Sequence, residues 1–277
     1  MSSKEYVMPR HLIEQIKVQI AFFRRNKLIR VISLFVIIIL SMTLIPSIVT
    51  QSSEMRFELI RSIQKEIGTF TLVVGLALAI LTMHYHISSR CIKMVLTKPC
   101  RPEWWVLSVF LSTALVCSCL QLLGIIIATI LSLVWSIPFQ MGIIFIALEG
   151  IARSAVAFSW GILLTAFLHP AGAVMIIIMI QEKVFYWLMI ANMGAMQGMT
   201  DRIRRFLLQM IQQLLACGYI LIPSFSPFAD RVKGVHLSYR VIAIDWIYLI
   251  YILGYAFLFA AFCYLVTTLI FLRRRYI

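Results

Sequence analysis

WWVLSVFLSTALVCSCLQLLGIIIATILSLVW, from Trp104 to Trp135, contains no Asp, Glu, Lys or Arg. Crossing about 30 Å of hydrocarbon takes about 20 mostly apolar residues, and this block exceeds that. Five further blocks read the same way: Ile29 to Val49, Ile67 to His86, Ile143 to Leu168, Ala171 to Ala191 and Val241 to Leu272. Lipid offers the backbone no hydrogen-bond partner, so a spanning segment is a helix or part of a closed barrel. Barrel strands alternate apolar and polar residues, and runs such as Val36-Ile37-Ile38-Ile39-Leu40 and Ile125-Ile126-Ile127 do not. The expected fold is an all-α polytopic membrane protein with six transmembrane helices over residues 29–272. The whole chain agrees: 62% of its 277 residues are hydrophobic and 13% charged, against about 45–50% and 25% in soluble domains. A soluble enzyme, a secreted disulfide scaffold and a disordered tail are excluded. The first block lies behind a long polar segment and outruns a signal-peptide core, so a retained span is expected.

Basic residues in short flanks set orientation. Residues 1–30 carry Lys4, Arg10, Lys17, Arg24, Arg25, Lys27 and Arg30, the connection after the second span carries Arg90, Lys93, Lys98 and Arg101, and Arg273, Arg274 and Arg275 close the chain. With six spans all fourteen fall on one face, which places both termini, including the basic 273–277 tail, in the cytoplasm of a plasma-membrane protein. On the opposite face Arg56, Arg61 and Lys65 are balanced by Glu54, Glu58 and Glu66. The outer segment 192–240 resists this scheme, because it holds Arg202, Arg204, Arg205, Arg231, Lys233 and Arg240. A seventh span over 206–223 would bring the arginine cluster inside but send the terminal arginines outside, and Gln209, Gln212 and Gln213 would be costly in lipid. Ile203, Leu207, Met210 (or Ile211) and Leu214 recur at helical spacing, which favours an amphipathic helix at the outer surface. The formal charge of +14 is the basic rim meeting anionic headgroups, and no nucleic-acid partner is expected.

No G-x-x-x-x-G-K-[ST], H-E-x-x-H or G-x-S-x-G run occurs, so the sequence carries no catalytic residues, no metal ligands and no nucleotide cofactor site by those routes. His84 and His86 are two apart and fall on different helix faces, which reads as interfacial polarity. The six cysteines, Cys91, Cys100, Cys117, Cys119, Cys217 and Cys263, read as small packing residues. Met189, Met193, Met196 and Met199 favour adaptable packing over a copper site, for want of a completing Cys or His.

Two cytoplasmic segments stand out. Within residues 1–28, Leu12, Ile13, Ile16, Ile20 and Phe23 form a stripe with Glu14, Lys17 and Arg24 elsewhere on the wheel, a short interfacial amphipathic helix. Within residues 87–103, Arg90 to Leu96 makes about two helical turns, Pro99 ends them, Pro102 suits the first turn of the next helix, and Trp104-Trp105 suits an interfacial anchor. Together these describe a rigid basic knob on the inner face.

The span order, the N-terminal helix and the run from Val95 to Trp105 resemble the permease subunits of ABC transporters of the ABC-2 type. Leu96, Thr97, Lys98, Pro99 and Arg101 match that family's run after its second span. Cys100 stands where Ser or Thr is usual, Leu107-Ser108 where Gly-Lys is usual, and Ser89 and Arg90 where an acidic residue and glycine often precede the run. Ile222 to Phe228 is similar to the proline-containing stretch between spans five and six. The resemblance implies a membrane subunit of an exporter of a hydrophobic or amphipathic substrate, paired with a second permease chain, identical or paralogous. Cytoplasmic ABC ATPase subunits would carry ATP and Mg2+. Arg90, Lys93, Lys98 and Arg101 would contact the ATPase, with Leu96, Thr97 and Pro99 shaping the coupling helix.

Four ionisable residues fall inside expected spans: Glu149 and Arg153 in the fourth, Glu182 and Lys183 in the fifth. Residues of this kind usually face protein or a water-filled cavity. Glu149 and Arg153 are one helical turn apart and can pair, and Arg153 and Glu182 fall at similar depth. The set reads either as a structural cluster or as a polar patch for substrate. The alternative function it suggests is an ion-gradient-driven carrier with these residues as a proton relay; a non-transporting scaffold is the third.

Overall fold

A computed structural model describes residues 8–25, 27, 34, 53–88, 102–138, 141–179, 182–196, 202–221, 223–225, 228 and 246–275. Among them are eight α-helices and no strand: α1 (Met8–Arg25), α2 (Ser53–Ser88), α3 (Pro102–Val134), α4 (Gly142–Phe167), α5 (Pro170–Met179), α6 (Glu182–Met196), α7 (Arg202–Leu221) and α8 (Trp246–Arg275). Four stretches are long and apolar enough to cross a membrane: Glu58–Ser88, Glu103–Val134, Gly142–Phe167 and Trp246–Arg273. They overlap the second, third, fourth and sixth apolar blocks, and describe a membrane-integral helical protein. The first block, 29–49, lies outside the described residues apart from Leu34. Over the fifth block the structure describes α5 and α6, and residues 180–181 between them lie outside the described residues.

The chain forms two compact units. One comprises Met1–Leu168 with Leu237–Ile277, the other His169–His236. In the first, α2, α4 and α8 run in one direction and α3 in the other. Register contacts show it: Phe145 stacks on Tyr248 at 5.9 Å and Trp160 meets Phe259 at 6.3 Å, so α4 and α8 are parallel. A Cβ on Gly68 would approach Gly150, and one on Gly161 would meet Leu76, so α2 and α4 are parallel too. The core of this unit runs along the shared seam, where Met83, Val109, Phe110, Phe158, Ile162 and Phe271 are buried.

Helix α2 has 36 residues, about 54 Å at 1.5 Å per residue, and so outruns the expected span at its N-terminal end. Residues 53–66, which hydropathy alone separates from the second span, continue the same helix, because nothing in them breaks it and Ile60 and Ile63 are buried against the bundle. The consequence is that Arg61 and Gln64, polar positions on that extension, are buried as well.

Helix α3 ends in a Schellman motif. Ile137 N–H donates to the Ser132 carbonyl (2.9 Å) and Ser136 N–H to the Leu133 carbonyl (3.1 Å), which satisfies carbonyls the helix leaves open. Ser136 sits at φ 54°, a left-handed conformation that costs a residue with a Cβ about 1 kcal/mol. Ser136→Gly is expected to stabilise the protein by about 0.5–1 kcal/mol, read as a higher unfolding temperature in detergent. No change, or a loss, would show that the serine side chain makes up for the strain.

The second unit contains the hairpin of α6 and α7. Asn192 on α6 donates through Nδ2 to the Leu208 carbonyl (3.0 Å) and to Gln212 Oε1 (2.9 Å). Gln212, costly in lipid on hydropathy grounds, is thus satisfied by another side chain of its own unit.

Candidate functional site

Two places in the first unit gather polar side chains. The first is a seam of α2, α3 and α4. On α2, Gln64, Gly68 and Thr71 lie at helical spacing; on α3, Cys117, Gln121 and Gly124 do; α4 contributes Gly150. Gln64 Nε2 donates to Gln121 Oε1 (3.1 Å), Gln121 Nε2 donates to Thr71 Oγ1 (2.9 Å), and Thr71 Oγ1 donates to the Ile67 carbonyl (2.7 Å). The Cys117 thiol points at the Thr71 carbonyl (3.9 Å). Gln64, Thr71 and Gln121 have no exposed surface. Glycines make the room: a Cβ on Gly124 would stand 2.6 Å from Gln64 Oε1, and one on Gly150 2.7 Å from Gln121 Nε2. The primary amides therefore occupy the volume that larger residues on α3 and α4 would fill. Gln64 Oε1 itself is buried without a hydrogen-bond donor.

Beside this chain of amides sits the charged group. Glu149 is 6% exposed, and Arg153 and Lys65 are the cations acting on its carboxylate. Glu149 Oε2 and Arg153 Nε are both buried without hydrogen-bond partners, so attraction among these charges acts through space. Arg61, one turn before Lys65 and 4% exposed, approaches Glu58 at 3.6 Å. The expected local pair of Glu149 with Arg153 thus becomes a set shared with α2 through Lys65. The side chains of Glu182 and Lys183 lie outside the described residues, and with them the expected meeting of Arg153 and Glu182.

Sequence reasoning passed over Gln64, Thr71 and Gln121. The available signal was Gln121 itself, a lone amide in the long apolar block of α3, since a polar group in a span is retained where a partner satisfies it. Among the described residues no group of three His, Cys, Asp or Glu stands close enough to hold a metal ion.

The second place is the opposite end of the same unit, where α2 ends and α3 begins. Helix α1 docks there. The Gln19 amide and His86 Nε2 lie 3.0–3.1 Å apart and share a hydrogen bond; the amide donates to a bare Nε2, or Nε2–H donates to the amide oxygen, according to the imidazole tautomer. Phe22 packs on Tyr85 (4.7 Å), His86 meets Trp105 edge-to-face (5.4 Å), and Trp105 meets Phe271 likewise (5.4 Å). The Tyr264 hydroxyl donates to the Glu103 carbonyl (3.4 Å). Four helices, α1, α2, α3 and α8, are tied together at this end.

Two expectations shift in detail. The buried face of α1 centres on Gln19 and Phe23, with Ile16 and Ile20 half-buried, while Ile13 is 51% exposed and Lys17 and Arg24 face outward. A polar Gln19 aligned with the apolar stripe marks this face as a contact with protein, where an amide finds a partner. Trp105 is likewise 5% exposed and packed among side chains, and of the expected aromatic anchor only Trp104 keeps partial exposure. Pro102 opens α3 as expected, with Glu103 in the first turn, where an acidic group complements the helix dipole. Arg90, Lys93, Leu96, Thr97, Lys98, Pro99 and Arg101 lie outside the described residues. No protein-family model and no curated protein matches this chain.

Proposed function

We propose that the chain is the membrane-spanning permease subunit of an ABC exporter of the ABC-2 type, moving a hydrophobic or amphipathic substrate across the plasma membrane. It would be driven by cytoplasmic ATPase subunits that bind ATP and Mg2+, and it would pair with a second permease chain. The observation that carries this reading is the tie at one end of the first unit. The segment 89–101, with its Thr97-Lys98-Pro99 run, departs between Ser88 and Pro102, from helix ends that α1 and α8 clamp through Gln19, His86, Trp105 and Phe271. A push delivered there would reach four helices at once.

The helix directions support the six-span topology over the seven-span one. Helices α4 and α8 are parallel and Phe271 lies beside Trp105, so the end of α8 shares a side with the start of α3. With α4 and α8 both as spans, an odd number of crossings would be needed between them, which suits a fifth span with α7 as a surface helix. On this reading both termini and the 89–101 knob are cytoplasmic.

Co-expressed with its chromosomal neighbours and purified in detergent, the chain is expected to retain an ATPase subunit, and Lys98→Glu with Arg101→Glu to lower that retention about tenfold or more, since like charges across an interface cost several kcal/mol. Retention unchanged by the double reversal would sink the coupling assignment. The buried, unbonded Glu149 Oε2 beside Lys65 and Arg153 favours a second reading, an ion-gradient-driven carrier. Flux in vesicles that persists without ATP and collapses with a protonophore would select it.

A further inference from the structure

Among the described residues, helix α7 presents an exposed apolar face. Ile203, Phe206, Leu207, Met210, Ile211 and Leu214 are all exposed, Ile203 at 73% and Leu214 at 69%. At about 100° per residue they span an arc of about 140°. Leu208 and Gln212, the positions bonded by Asn192, lie about 150° round from its centre. The α6–α7 hydrogen bonds therefore turn the apolar stripe away from α6, and they pair Asn192 with Gln212 inside the hairpin.

Charge says what covers it. The twenty residues RIRRFLLQMIQQLLACGYIL contain three arginines and no Asp or Glu. Arg204 falls on the flank of the stripe and Gln213 on the other flank, both exposed, while Arg205 falls on the far side. A cation at the flank of an apolar stripe is where a helix lying in a bilayer surface meets headgroups, its apolar face sunk about 5–10 Å into the acyl boundary. A second copy of the same helix packed parallel on this stripe would instead set these arginines against one another. We propose that the α7 face is a docking surface for an anionic phospholipid bilayer, with the stripe in the acyl boundary and Arg204 on the lipid phosphate. The proposal is independent of what drives transport, and goes beyond a surface location in naming the lipid charge and the residue that reads it.

The test uses the full-length chain in vesicles of about three parts phosphatidylcholine to one of phosphatidylglycerol, anionic lipid being the component that basic residues select. A photoreactive benzoylphenylalanine replaces Leu207, or Gln209 as the control off the stripe, and adducts are identified by mass spectrometry. Position 207 is expected to yield lipid adducts, with phosphatidylglycerol enriched about threefold or more over its share of the bilayer. Arg204→Gln should return that share to the bulk value, Arg204→Lys should preserve it, and Arg205→Gln should leave it unchanged. Because the lysine variant keeps the charge, it separates lost lipid contact from lost fold. Cross-links from 207 to a second copy of the chain, lipid adducts equal at 207 and 209, or enrichment indifferent to Arg204→Gln would each overturn the proposal.

Discussion

Trp105→Ala is expected to destabilise the protein by about 3–5 kcal/mol, the range for truncating a buried tryptophan. Trp105 is 5% exposed and stands between His86 of α2 and Phe271 of α8, with ring centroids 5.4 Å away on each side. Its loss opens a cavity between helices far apart in sequence, which cannot close without shifting α8. Trp104→Ala, next in the chain and half-buried, is the control, with an expected cost of about a third as much in proportion to the apolar area lost. Thermal unfolding of the two variants in the same detergent checks this. Equal losses would mean that the two rings share the load, and that the tie at this end of the unit is not centred on Trp105.

The second large effect concerns Gln121. Gln121→Leu takes the acceptor from Gln64 Nε2 while Gln64 Oε1 already has no donor, leaving a whole amide stranded in an apolar seam. The expected cost is about 2–4 kcal/mol, since each buried polar group left unpaired costs about 1–3 kcal/mol. The double variant Gln64→Leu with Gln121→Leu removes both amides, and Thr71 still donates to the Ile67 carbonyl. It is expected to lie within about 1 kcal/mol of the parent, because replacing both partners of a buried bond by apolar groups of similar size is nearly neutral. Gln64→Leu alone strands Gln121 Oε1 at a cost of about 1–3 kcal/mol, so the coupling between the two sites would be at least about 2 kcal/mol. A double variant as damaged as the sum of its singles would mean that the amides act separately. If the double variant is stable but impaired in transport, the amide chain serves the moving part of the cycle.

These two sites show different degrees of legibility. The region around Trp105 could be placed in advance: Pro102 after a basic stretch opens a helix, and two tryptophans follow it. What could not be placed was which tryptophan faces protein, because that depends on α8 arriving from the far end of the sequence. The charged set was half legible. Glu149 and Arg153 are one turn apart on a single helix, so their proximity is a local property. Lys65, the cation from α2 that shares Glu149, and Gln64, whose amide bonds α3 beside it, were not legible, because hydropathy assigns residues 53–66 to water and only the packed bundle shows that α2 carries them inside.

The partition of each segment between water and lipid is a sum over that segment's own side chains, so composition and periodicity alone determined a membrane-integral all-α chain, the four apolar helices that overlap its second, third, fourth and sixth blocks and the amphipathic character of α1 and α7. Partnership among polar groups is a property of pairs. It took the parallel run of α2 with α4, and the glycines at 68, 124 and 150 that let those helices close on α3, to decide that Gln64 meets Gln121 and that the charge of Lys65 acts on Glu149. Likewise only the arrival of α8 beside α3 decided that the end of α8 lies against the start of α3, since helix direction in a bundle is fixed by contacts between segments and by no residue within one of them.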